Sequence, residues 1–183
     1  IDTLVGIFGI NQPPKGDKDP FALRRAAIGI IRIIIEKQLL LDINDLVSQS
    51  IDSYNDKLTN DNTQHQVLDF VLGRFKAFYQ EKNITVDVIQ AVLVNKPSAP
   101  LDFNERIKAV NHFKALTAAA ALAAANKRVG NILAKFDGQL YLSFKPELAC
   151  EPAEKNLASV FESVKERVIP LTSEKNYQAA LVE

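Results

Sequence analysis

Asp17-Lys-Asp-Pro-Phe-Ala-Leu-Arg-Arg-Ala-Ala-Ile-Gly-Ile-Ile-Arg32 is the stretch that decides the fold. It reads as the start of a long helix. The Asp19 carboxylate can accept hydrogen bonds from the free amides of a first turn. Pro20 suits the first helical position, where no N–H is needed. Phe21, Leu23, Ala26, Ala27, Ile28, Ile30, Ile31, Ile33, Ile34 and Ile35 then leave a narrow polar stripe of Arg25, Gly29, Arg32 and Glu36. A helix apolar nearly all round is a buried one, so the pattern predicts a central helix running from Pro20 to Gln38. Arg24 shares a face with Ile28, Ile31 and Ile35 and must find a carboxylate, carbonyls or the surface. Asp19, Pro20, Arg24 and Arg25 are accordingly assigned structural roles.

Outward from this stretch, Leu4-Val-Gly-Ile-Phe-Gly-Ile10 and Pro13-Pro-Lys-Gly-Asp-Lys-Asp-Pro-Phe-Ala-Leu-Arg-Arg-Ala-Ala27 together resemble the signature of the bacterial glycyl-tRNA synthetase beta subunit. Asn11, Lys15 and Asp17 stand where that family has Gly, Thr and Ser, and all three lie in the intervening loop.

Length and composition set wider bounds. A chain of 183 residues forms one or two domains and can bury a real core. The longest apolar run, Ile28 to Ile35, is interrupted by Arg32 and is too short to span a bilayer. No signal peptide is expected from the opening residues. The chain opens on Ile1 and ends in mid-pattern, so it reads as a fragment of a longer protein. A single cysteine, Cys150, excludes an internal disulfide and fits a reducing, cytoplasmic setting. His65 and His112 lack partners at ligand spacing, and no metal site is expected.

The net charge is zero, but the charges are unevenly spread. Residues 42–62 hold one basic and five acidic side chains, whereas residues 101–136 hold six basic and two acidic ones. Any phosphate contact should concentrate in that basic block.

In chain order, Ile1 to Phe8 reads as the end of a helix, and Gly9 to Lys18 as a loop. Asp42 or a neighbour opens a helix carrying Ile43, Leu46, Val47, Ser50, Ile51 and Tyr54 on one face and the solvated acids Asp45, Asp52 and Asp56 on another. After a polar loop, Val67, Phe70, Val71, Arg74, Phe75, Phe78 and Tyr79 recur at helical spacing as a packing stripe. A short helix follows Thr85. Asn95-Lys-Pro-Ser-Ala-Pro100 holds two prolines and reads as an extended connector between domains. Asp102-Phe-Asn-Glu105 fits a capping box, opening a helix with Ile107, Val110 and Phe113 inward. Asp137 to Pro152, with Tyr141, Phe144 and Pro146, is less regular. A helix from Ala153 to Ile169 should turn Leu157, Val160, Phe161, Val164 and Val168 inward, with Pro170 ending it and Thr172 capping a last helix.

The most unusual composition lies at Thr117-Ala-Ala-Ala-Ala-Leu-Ala-Ala-Ala-Asn-Lys-Arg-Val-Gly-Asn-Ile-Leu-Ala-Lys135. Alanine is the best helix former and permits close approach of a neighbour. Leu122, Val129, Ile132, Leu133 and Phe136 form a larger apolar seam, while Arg128, Asn131 and Lys135 make a polar row beside Lys127. These residues sit in the basic block, so Arg106, Lys108, Lys127, Arg128, Asn131 and Lys135 are the candidates for RNA contact. The same stretch extends the resemblance to the beta-subunit family. Through Ala124, Asn126, Arg128, Asn131, Ile132 and Leu133 it is also similar to a helix of arginyl-tRNA synthetase anticodon-binding domains.

No Gly-rich phosphate loop, nucleophile set or synthetase catalytic motif is legible. The resemblance implies a division of labour that fits this. ATP-dependent glycine activation belongs to a separate alpha subunit, in an alpha2-beta2 assembly, and the beta subunit handles tRNA. The expected fold is all-α. A helical body over 1–97 follows an HD-type domain, and an anticodon-binding-type bundle, truncated at its C-terminus, occupies 101–183. The expected function is positioning of tRNA(Gly) by the C-terminal part of the beta subunit, with no cofactor bound in the fragment itself. The competing expectation is a helical scaffold that binds a partner subunit without touching tRNA. A third, an HD-type hydrolase fragment, lacks the His-Asp pair that such a site needs.

Overall fold

The computed structural model describes residues 1–138 and 148–183. Tyr141, Phe144 and Pro146 of the less regular region lie outside these. The described residues form α1 (Asp2–Gly9), α2 (Leu23–Glu36), α3 (Ile43–Tyr54), α4 (Thr63–Gln80), α5 (Val86–Leu93), α6 (Pro100–Lys114), α7 (Thr117–Leu133), α8 (Pro152–Ser173) and α9 (Tyr177–Ala180). Among them there is no strand, so the fold is all-α as expected. No helix among them is long and apolar enough to cross a membrane.

Two compact units divide the chain, Ile1–Val110 and Asn111–Glu183. The division falls inside α6 and not at the proline connector, for a visible reason. The Ile43 N–H donates to the Ser98 carbonyl at 3.0 Å, and the Ser98 hydroxyl donates to Asp42 at 2.6 Å, so the connector is fastened to the start of α3. Phe103 and Ile107 of α6 are then buried in the first unit's core.

The first unit is built round α4, which packs against α1, α2, α3 and α5. Val67, Val71, Phe75 and Phe78 of α4 are fully buried, so the aromatic stripe is a packing stripe. Phe8 meets Phe70 at 5.1 Å, and Phe75 meets Phe103 at 4.1 Å. Asp42 caps α3 as predicted, accepting from the Asn44 N–H at 2.8 Å. Asp45, Asp52 and Asp56 are exposed.

The expectation of a central helix over Pro20–Gln38 is corrected in two ways. First, α2 buries only one face, through Leu23, Ala27, Ile31, Ile34 and Ile35, and leaves Ile33 58% exposed. The central position goes to α4, whose longer aromatic side chains fill more volume. Second, α2 begins at Leu23, and Pro20 lies outside it. Asp19 still caps the helix, from further back. Its two oxygens accept from the Leu23 N–H at 2.8 Å and the Arg24 N–H at 3.0 Å. Reaching that geometry places Ala22 in the left-handed region, φ 54°, a conformation that costs an L-residue about 1–2 kcal/mol.

The C-terminus of α1 is closed by the loop after α3. The Gly9 carbonyl accepts from the Thr59 and Asn60 N–H groups at 2.9 and 3.0 Å, and the Asn60 amide donates to the Phe8 carbonyl at 2.9 Å. These bonds supply partners for helix-end carbonyls. Leu58 lies directly against Gly9, where a Cβ would collide with its side chain.

In α6, the helix opens two residues ahead of the predicted capping box. Pro100 opens the helix, so Asp102 lies within it and accepts from Arg106 Nε, one turn on, at 2.7 Å. A carboxylate does close the start of α8, where Glu154 accepts from the Cys150 and Glu151 N–H groups at 2.9 and 3.1 Å.

Two further expectations fail in the second unit. Pro170 does not end α8, which runs on to Ser173, and the Pro170 carbonyl still accepts from the Glu174 N–H at 3.0 Å. Thr172 is therefore inside α8, and Asn176 caps α9, accepting from the Ala179 N–H at 3.4 Å. Leu157, Val160 and Phe161 are exposed, and Val164 and Val168 are only half-buried.

Candidate nucleic-acid interface

Helix α7 follows Leu116, whose extended backbone turns the chain into it. Its alanine run supplies helix propensity without bulk, and the polar side chains begin at Asn126. Successive polar positions near three and four residues apart fall on one face. Lys127, Arg128, Asn131 and Lys135 line an open depression of about 330 Å³ together with Ala124 and Ile132. Among the described residues no carboxylate lines it, and no ion pair engages Lys127, Arg128 or Lys135. The depression therefore offers three uncompensated cations and an amide beside an aliphatic floor. This set can bind phosphates electrostatically and hydrogen-bond a base edge or sugar.

The six candidates do not form one group. Lys127, Arg128 and Asn131 lie on α7 and Lys135 just beyond its C-terminus, all in the second unit, while Arg106 and Lys108 belong to α6 within the first. Arg106 pairs with Asp102 at 2.7 Å, and Lys108 Nζ donates to Glu105 at 2.8 Å. Local carboxylates compensate both cations, so a phosphate would have to compete for them.

Of the four residues given structural roles, Arg24 meets the requirement set by its apolar face. Its guanidinium donates to the Gly16 carbonyl and lies 3.9 Å from Asp19. Amide donation from Arg24 and, after a smaller opposing effect of burial, from Leu23 holds the Asp19 carboxyl below its ordinary range, with the Arg24 and Arg25 charges adding to this. Arg25 itself is exposed.

Sequence reasoning placed Leu122, Val129, Ile132, Leu133 and Phe136 in a packed seam. Each is exposed, by 46% to 60%. Ile132 instead forms part of the depression that carries the cations.

The model of the family described as glycyl-tRNA synthetase beta subunit matches residues 1–94. The chain belongs to this family. The match covers α1 to α5 and stops short of the basic helix, but the similarity to individual beta subunits does not stop there. Over all 183 residues the chain is 67% identical to the glycine–tRNA ligase beta subunit of Colwellia psychrerythraea, covering 27% of that protein. It is 57% identical, again over its whole length, to those of Tolumonas auensis and Photobacterium profundum, covering 26% of each. The chain thus spans about a quarter of the length of these beta subunits.

Proposed function

We propose that this chain is a tRNA-handling portion of a glycine–tRNA ligase beta subunit. In this reading it positions tRNA(Gly) for ATP-dependent aminoacylation by the alpha subunit in an alpha2-beta2 assembly. The observation that carries the reading is the α7 depression, where Lys127, Arg128, Asn131 and Lys135 converge with no carboxylate among the described residues that line it. Membership of the family described as glycyl-tRNA synthetase beta subunit supports tRNA as the ligand. The likeness of α7 to an anticodon-binding helix suggests the anticodon stem-loop as the part held. Cations far from the reacting bond contribute by orienting the substrate, so that binding free energy lowers the barrier at a distant site.

A second reading also has an observation behind it. Leu122, Val129, Leu133 and Phe136 on or beside α7, and Leu157 and Phe161 on α8, are apolar and exposed, as a helical scaffold for a protein partner would require.

A photo-crosslinking side chain at Asn131 in the complete alpha–beta assembly separates the two. Cross-links to the anticodon stem-loop of tRNA(Gly) are expected. Cross-links confined to protein would overturn the tRNA reading in favour of the scaffold.

A further inference from the structure

A second basic surface lies in the loop before α2 and at the start of that helix. Lys15 and Lys18 exchange backbone hydrogen bonds, each N–H donating to the other's carbonyl at 3.2 and 2.9 Å, so a tight turn presents both side chains together. Gly16, φ 52°, supplies the left-handed residue that the turn needs. Arg24 reaches back to the Gly16 carbonyl and locks the turn onto the start of α2. Arg25 lies close enough to Asp19 for its charge to act on that carboxyl. Lys15, Lys18 and Arg25 are all exposed, and among the described residues none forms an ion pair. Phe21, 48% exposed, sits in the same short segment.

Two carboxylates oppose the four cations. Asp19 is occupied by the Leu23 and Arg24 amides and by the Arg24 guanidinium. Only Asp17, at the tip of the turn, is exposed beside the lysines. The residues that build this surface thus separate into two groups. Asp19, Gly16 and Arg24 fix the backbone, and Lys15, Lys18, Arg25 and Phe21 face outward.

We propose that the Lys15–Lys18 turn and the start of α2 form a second RNA-contacting surface, with Lys15, Lys18 and Arg25 on backbone phosphates and Phe21 as a stacking face for an unpaired base. The chemistry is that of a cationic surface beside an exposed aromatic ring. The inference rests on the reading that this chain handles tRNA, but it concerns a different unit from the α7 depression.

The test uses the full alpha–beta assembly and tRNA(Gly), with affinity measured across a salt series. In one variant Lys15→Gln, Lys18→Gln and Arg25→Gln are combined; in another Lys127→Gln, Arg128→Gln and Lys135→Gln are combined. Each neutralised phosphate contact should lower the slope of log affinity against log salt by about 0.7–0.9. The first variant is expected to bind at least tenfold more weakly at low salt, with a slope smaller by about 2. Phe21→Leu should weaken binding several-fold and leave the slope unchanged. Unchanged affinity and slope in the Lys15/Lys18/Arg25 variant would overturn the second surface, whatever the α7 variant does. A loss in that variant with none in the α7 variant would sustain it and overturn only the α7 assignment. Lys15→Arg with Lys18→Arg, which keeps the charge, should restore binding; failure to do so would show that the loss came from damage to the turn.

Discussion

The ring of Phe103 in α6 lies 4.1 Å from that of Phe75 in α4, with the planes 13° from parallel. Tyr79 completes the stack, 5.5 Å from Phe103. This contact carries α6 across the proline connector into the first unit. Phe103→Ala should therefore destabilise that unit by about 3–5 kcal/mol, the usual cost of emptying a buried aromatic site. Val129→Ala, on the exposed side of α7, should change stability by less than about 0.5 kcal/mol. Denaturant midpoints read both. A small effect at Phe103 would mean that α6 is only loosely attached.

Gly9 is required for space. Its carbonyl takes two amide donors, and a Cβ would lie 3.0 Å from Leu58 Cγ and closer still to one of its methyl groups. Gly9→Ala should destabilise by about 1–3 kcal/mol through overpacking. Adding Leu58→Ala should recover part of that loss in a double-mutant cycle, since the two changes share one contact.

Asp19 sets an acid limit on the start of α2. Its carboxyl is held below the ordinary value of 3.8, chiefly by the Arg24 amide. A lowered native value means that the contribution is complete above the ordinary range and is lost as pH falls through the native one. Asp19→Asn keeps an acceptor but loses the charge. The wild-type advantage over Asp19→Asn should be constant near neutral pH and shrink below about pH 4. An advantage independent of pH would show that charge has no part in the cap.

Tyr79 sets the opposite limit. Burial first, and the nearby Glu105 second, push its hydroxyl well above the ordinary 10.0, while the hydroxyl donates to Asn104 at 3.0 Å. The native state then holds its proton after the unfolded state has released one, so stability falls as pH rises beyond about 10. Tyr79→Phe should remove that part of the alkaline decline and leave the aromatic stack in place. Identical alkaline profiles for the two proteins would contradict this.

Much of this was legible in the sequence. Period and caps gave the helices, because apolar spacing and the Asp42 and Asp19 carboxylates act locally. Local signals failed where a tertiary contact decided. Asp102-x-x-Glu105 has the spacing of a capping box, yet Pro100 already starts α6 and Arg106 takes the Asp102 carboxylate. The two connector prolines suggested a boundary, yet Ser98 is bonded to Asp42 and Phe103 to the α4 stack. Apolar side chains on α7 and α8 read as inward from their spacing, because a sequence shows which residues share a face but not whether anything covers it. The cationic row was readable from spacing on α7. The exposure of Lys15, Lys18 and Arg25 depends on how Arg24 and Asp19 fold the loop before α2, and no periodicity reports that.

The central claim is that the α7 row touches tRNA phosphates. The most direct test is the salt dependence of tRNA(Gly) binding to the complete alpha–beta assembly, for wild type and for the combined Lys127→Gln, Arg128→Gln and Lys135→Gln variant. If the row contacts the backbone, the variant binds more weakly at low salt and its slope falls by about 2–3, one increment for each lost contact. An unchanged slope and affinity in a variant that melts like wild type would contradict the claim.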